Sequence, residues 1–245
     1  MPAWKAIFNR ELAAYFTTPV AYVFMIIFLM LVGTFTFYIG QFFNTEQADL
    51  IAFFTYHPWL YLFLVPAISM RLWSEDRRSG TIELLMTLPL PLPAIILGKF
   101  LAAWAFAGIT LALTFPIWLT VNYLGTPDQG PILLGYLGSF LMVGAYLAIG
   151  SAMSALTKNQ VIAFVLTAAV CFVFTVMGLP MVLDAFTGWL PQGLLGLLAS
   201  FSFLSHFSDI LKGLISISDV LYFLSLIIFW LFITYVAIQA KREEG

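Results

Sequence analysis

Charge is what this chain has least of. Of 245 residues, 9% are charged and 62% are hydrophobic, whereas a soluble domain is about one-quarter charged. Too little polar surface remains to cover a water-soluble globule, so the chain reads as an integral membrane protein. The net charge of −2 excludes the basic footprint of a nucleic-acid binder. A single cysteine, Cys171, lies in an apolar run. It has no intrachain disulfide partner and reads as a small buried apolar residue.

The motifs of catalysis are missing too. No Gly-x-x-x-x-Gly-Lys-Ser/Thr phosphate loop occurs, since Gly98-Lys99-Phe100 lacks the earlier glycine and the following hydroxyl. If ATP drives this protein, another chain binds it. His-Glu-x-x-His and Gly-x-Ser-x-Gly are also absent. The two histidines, His57 and His206, read as interfacial residues rather than a metal or proton site. Met177 and Met181, four apart, read as core or lipid-facing rather than as soft-metal ligands. No catalytic, cofactor-binding or metal-binding residue is assigned. The long apolar runs are bare of charge, whereas ion-coupled carriers usually place Asp, Glu, His or Lys within their spans. Arg71 and Lys99 stand at the edges of such runs, where each can snorkel to water.

What the chain does have is membrane-length segments. Residues 1–17 form an expected interfacial helix, with Trp4, Ile7, Phe8, Leu12 and Tyr15 on one side and Lys5, Asn9 and Arg10 on the other. Val20 to Gly40 would extend about 31 Å as a helix, enough for one crossing. Further crossings are expected at 50–70, kinked by Pro58 and Pro66, and at 100–127, 129–157, 159–183 and 220–240. Residues 185–218 are long enough to cross but are broken by Gly188, Pro191, Gly193 and Gly196. Six crossings with an inside amino terminus leave nine of ten basic residues cytoplasmic and only Lys212 outside. A seventh would expel Lys241 and Arg242 and break the positive-inside bias. Segment 185–218 is therefore expected as a re-entrant or interfacial helical pair on the outer side. Gly144, Ala148 and Ala152 form a small-residue stripe, either a dimer seam or packing within one bundle. Aromatic clusters at Phe35–Phe43 and Phe53–Tyr61 fit interfacial belts.

One stretch concentrates the charge. Between Ser74 and Pro89 lie five of the 22 charged residues, Glu75, Asp76, Arg77, Arg78 and Glu83. Gly80 can take the positive φ that ends one helix, and Thr81 can cap the next. Glu83 then falls in a first turn, favoured by the helix dipole. Ile82, Leu85 and Met86 share an apolar face, and Pro89, Pro91 and Pro93 stop the helix. By itself this is a short amphipathic helix at 74–88, either a docking element or a solvated anchor.

Acidic-basic-x-Gly80-Thr81-Ile82-Glu83-Leu84-Leu85 with a proline-rich exit and Gly98-Lys99 resembles the first cytoplasmic loop of ABC-2 type exporter permeases. The likeness is to short permeases of the gliding-motility and nitrous-oxide-reductase-maturation types. It covers Ser74 to Lys99 closely and the rest by span order. The resemblance implies a coupling helix that docks on a separate ATPase through Glu75 to Arg78 and Gly80 to Leu85. It further implies a homodimer or sister-permease pair, with ATP and Mg on the ATPase and no cofactor in this chain. An accessory protein outside the membrane and surrounding lipid complete the expected partners, and nucleic acid is not among them.

The expected protein is thus all-α and polytopic, one membrane domain over 1–245. It has six spans, an interfacial amino-terminal helix and both termini in the cytoplasm of a bacterial inner membrane. The expected function is the permease subunit of an ATP-driven exporter. A secondary transporter or channel, or a non-transporting structural subunit of an envelope complex, is the alternative. In a Cys171→Ala background, a cysteine replacing Lys212 should react with a membrane-impermeant thiol reagent added to intact cells. One replacing Arg77 or Lys158 should not, and its labelling from outside would reverse the orientation.

Overall fold

A computed structural model describes residues 2–44, 47–82, 90–213 and 216–243. It is helical, with no strand among the described residues. In hydrocarbon a backbone has no water to bond, and the helix is the element that satisfies every N–H and C=O within one segment.

The bundle is built round α8 (Gln129–Leu156). Every residue of α8 from Leu141 to Ala155 is buried, as expected of a helix that is apolar or small on all sides. The Asp128 side chain opens it by accepting from the Gly130 N–H. Helix α13 (Ile217–Glu243) runs parallel to it, with Thr234 beside Ser151 and Lys241 beside Leu156. Helix α4 (His57–Ser69) is parallel as well, with His57 bonded to Ser139 at its start and Ser69 against Gly150 at its end. Two helices run the opposite way, α6 (Leu92–Ala112) and α9 (Gln160–Val176). Trp104 of α6 donates to the Phe140 carbonyl and stacks on its ring at 4.6 Å. Tyr146 meets Thr175 of α9 at 2.6 Å. Helix α1 (Ala3–Thr17) lies along α6, where Tyr15 stacks on Phe106 at 4.9 Å. Helix α2 (Pro19–Thr34) closes that side, stacking Phe28 on Tyr61.

Four helical stretches, 19–44, 92–124, 129–156 and 217–241, are each long and apolar enough to cross a membrane. Two bent pairs raise that number to as many as six. The outward faces carry Ile26, Met30, Val161, Ile228 and Phe232, all more than half exposed. An exposed apolar surface of this extent belongs in lipid. This is an all-α polytopic membrane protein.

Several segment boundaries differ from the sequence expectation, each for a local reason. The run at 50–70 divides into α3 (Ile51–Thr55) and α4, whose 13 residues extend only about 20 Å. Pro58 opens α4, where its missing N–H costs nothing. The third segment begins eight residues early, at Leu92, because Pro91 and Pro93 start a helix instead of delaying it. It breaks at Thr114 before Pro116 and resumes as α7 (Phe115–Leu124). The fifth ends at Val176 and turns by 84° into α10 (Pro180–Phe186). In 185–218, α11 (Gln192–Ser200) and α12 (Phe203–Leu211) meet at 67°. Helix α12 packs along the middle of α8, with Phe203 stacked on Tyr146 and Ile210 against Gly138. No residue of α11 is buried.

Helix α4 can lie this close to α8 because Gly150 has no side chain. A Cβ there would stand 2.0 Å from the Ser69 hydroxyl and 3.2 Å from Thr167. Gly150→Ala should therefore overpack the seam by about 1–3 kcal/mol, lowering the melting temperature in detergent by about 2–12 °C. Gly33→Ala, with open space around it, should melt at or above the parent. Equal melting of both variants would remove the tight seam.

Candidate functional site

Nearly all the described basic residues gather at one end of the bundle, where α1 and α6 begin and α4, α8 and α13 finish. Helix α5 (Arg71–Ser79) leaves this end directly after α4, separated by a break at Met70. Leu72, Trp73 and Ser74 are buried, while Glu75, Arg78 and Ser79 are exposed. Arg77 and Arg78 occupy the last turn, where the helix dipole favours cations. Gly80 ends the helix at φ +73° with open space around it. The positive φ is the left-handed conformation that glycine adopts without strain.

The break at Met70 leaves first-turn N–H groups of α5 without carbonyl partners. They are satisfied from another helix. Ser154 of α8 accepts from the Trp73 and Ser74 amides at 3.1 and 3.0 Å, and donates to the Met70 carbonyl at 2.9 Å. The Trp73 indole N–H bonds Ser151 at 3.0 Å. The end of α8 has the opposite need, unpaired carbonyls. Arg77 donates to the Ala155 carbonyl at 2.6 Å, and Lys241 to that of Leu156 at 3.0 Å. Burial draws the Arg77 guanidinium below its ordinary pKa, although an arginine stays charged.

Lys99 of α6 ties α5 to α1. Its ammonium lies 2.7 Å from Asp76 of α5 and 3.4 Å from Glu11 of α1. It also sits 5.4 Å from the centre of the Trp73 ring, within cation–π range. The Lys99 side chain is only 5% exposed. It does not snorkel to water, because two carboxylates meet it inside the junction. Glycine at 98 lets α1 come near enough, since a Cβ there would be 2.8 Å from Ile7. Thr81 donates to Asp76 at 3.0 Å, so its hydroxyl serves the preceding helix. Tyr15 lies beside the junction, where burial first and then Glu11 push its hydroxyl above the ordinary pKa, with Arg71 opposing.

The structure thus brings Asp76 and Arg77 into contact with the bundle and leaves Glu75 and Arg78 at the surface. Ile82 packs against the core, while Glu83, Leu84, Leu85 and Met86 lie outside the described residues. Gly144, Ala148 and Ala152 are buried inside this one chain, Gly144 facing Trp104 and Ile227. Sequence reasoning missed Glu11, Trp73, Ser151 and Ser154. Two serines three apart on an apolar helix were the available signal. Among the described residues, no group of three or more His, Cys, Asp or Glu is placed to hold a metal. His57 bonds Ser139 in the core, and His206 pairs with Asp219 at 2.6 Å near the far end. Met181 is largely exposed.

Comparison with known proteins matches residues 44–238 to a family model described as ABC-2 family transporter protein. Heme exporter protein B of Rhodobacter capsulatus is 34% identical over 101 residues, covering 35% of this chain and 45% of that protein. Heme exporter protein B of Paracoccus denitrificans is 34% identical over 88 residues, covering 30% and 39%. That of Escherichia coli K12 is 46% identical over 43 residues, covering 18% and 20%. The matched stretches span less than half the length of these relatives.

Removing the ammonium strands the Asp76 carboxylate and leaves Glu11 with Arg10 alone. Lys99→Met should lower stability by about 3 kcal/mol, read as a fall in melting temperature in detergent. Adding Asp76→Asn should recover part of that loss, because the stranded charge disappears. If the double variant melts below Lys99→Met, the two side chains do not form the coupled pair.

Proposed function

Because the chain belongs to the ABC-2 family of transporter proteins, we propose that it is the membrane subunit of an ATP-driven exporter whose ATPase is a separate polypeptide. Family membership makes it a transporter membrane subunit, and the junction supports the finer reading. Helix α5 presents Glu75 and Arg78 outward and holds the bundle inward through Asp76, Arg77 and Trp73. A docking element must have both faces. Its grip on α6 and α8, with α1 tied in through Lys99, is the single observation that carries the proposal.

In this reading the charged end faces the cytoplasm, in keeping with the positive-inside bias. Two copies, or this chain and a sister permease, sit on two ATPase subunits that carry ATP and Mg. ATP binding closes the ATPase pair and displaces the two α5 segments. The displacement does useful work only if the ATPase binds one permease arrangement better than the other. Because α5 is bonded to α6 and α8, it moves them as a packed body instead of bending alone. The exposed helices α10 and α11 at the far end offer the place for an extracytoplasmic accessory protein. Heme, named in the relatives, is the first substrate to test.

Purified alone, the chain should hydrolyse no ATP, and from native membranes it should co-purify with an ATPase as two copies of each. Gly80→Val should reduce ATPase co-purification, because a β-branched residue is strained at positive φ. Gly80→Asn should retain it, since asparagine tolerates that conformation. Glu83→Lys should weaken docking at normal permease abundance, while Glu244→Lys should not. Full ATPase binding by both Gly80→Val and Glu83→Lys would reduce this stretch to an anchor.

A further inference from the structure

A cavity of about 570 Å³ opens beside the junction, between α1, α2, α4 and α5. Its volume falls in the range of small-ligand sites. The two ends differ in chemistry. One end is lined by Glu11, Arg71, Glu75, Asp76 and Lys99. The other is lined by Val20, Val23, Phe24, Ile27 and Leu64. Val20, Val23 and Ile27 are themselves 49%, 53% and 42% exposed, on a helix apolar enough to cross a membrane. That wall is therefore open sideways to acyl chains. The cavity is a groove running from the headgroup level into hydrocarbon.

Arg71 identifies the headgroup. Lys99 is already occupied by Asp76 and Glu11. Arg71 has no ion pair or hydrogen bond among the described residues, and its Nε is buried without an acceptor. A buried charged donor of this kind calls for an oxygen acceptor, and the guanidinium fork matches phosphate. The acids at the same end narrow the choice further. Three carboxylates line this end against two cations, with Arg10 paired to Glu11 at 2.7 Å from outside the cavity, so the end carries no net positive charge to favour a lipid of net negative charge. Glu75 has no ion pair among the described residues and lies at the mouth, where it can take an ammonium. We propose that this groove binds a zwitterionic aminophospholipid of the adjacent leaflet. Its phosphate sits on Arg71, its ammonium at Glu75, and one acyl chain along the Val20–Ile27 wall. The site is independent of the ATPase reading, and its test involves no ATPase.

The experiment is native mass spectrometry of the detergent-purified protein titrated with phosphatidylethanolamine, phosphatidylglycerol or diacylglycerol. The wild type should retain phosphatidylethanolamine at least fivefold better than diacylglycerol, and better than phosphatidylglycerol. Arg71→Gln should abolish the advantage over diacylglycerol, and Glu75→Gln should narrow the advantage over phosphatidylglycerol. Ile27→Trp, on a lipid-facing position that leaves the core intact, should reduce retention of all three. Glycerophosphoethanolamine, the soluble headgroup, should displace nothing. Undiminished preference in Arg71→Gln, undiminished retention in Ile27→Trp, or displacement by the soluble headgroup at equal concentration would each overturn the proposal.

Discussion

A single ammonium holds this molecule's charged end together. Lys99 is nearly excluded from water and bridges a carboxylate of the amino-terminal helix to one of α5. Burying an ion is expensive, and its attraction to partners repays the desolvation only when the geometry is good. Here the partners come from two other segments, so the ion is satisfied only when α1, α5 and α6 are all in place. The pair thereby specifies an arrangement more than it adds stability. That is the use for which a buried charge is best suited in a bundle otherwise fastened by non-directional apolar contact.

Around this ion the backbone accounts are settled across helices. Ser154 takes the orphan amides of α5, and Arg77 and Lys241 take the orphan carbonyls of α8. Hydrogen bonds are directional, so these links fix the angle of α5 against the central helix. Apolar packing alone would let it slide. A rigid joint between a surface helix and the middle of the bundle is what the proposed transmission of an ATPase's motion requires.

The membrane class, the helical fold and the capped helix ending at Gly80 were legible in the sequence because each depends on local composition or a local dihedral. The joint was not. Lys99 looks like a residue free to reach water, since nothing in its neighbourhood reveals that Glu11 and Asp76 converge on it. Distances of 88 and 23 positions in sequence separate these partners, and only the packing of α1 on α6 brings them together. Ser151 and Ser154 are equally silent, as small residues in an apolar helix read as packing. The segment boundaries failed where proline has two meanings: Pro91 and Pro93 end one helix and start the next. The bend after Val176 had its mark in Gly178 and Pro180, but an unbroken apolar run outweighed it.

The rigid joint is tested most directly by pulsed electron-electron resonance on the assembled transporter, with spin labels at exposed positions Arg78 of α5 and Leu156 of α8. The account predicts the same narrow distance distribution with and without bound ATP, broadening only when Lys99 is replaced by Met. A wild-type distance that shifts on ATP binding would contradict it, because α5 would then be moving against the bundle and not with it.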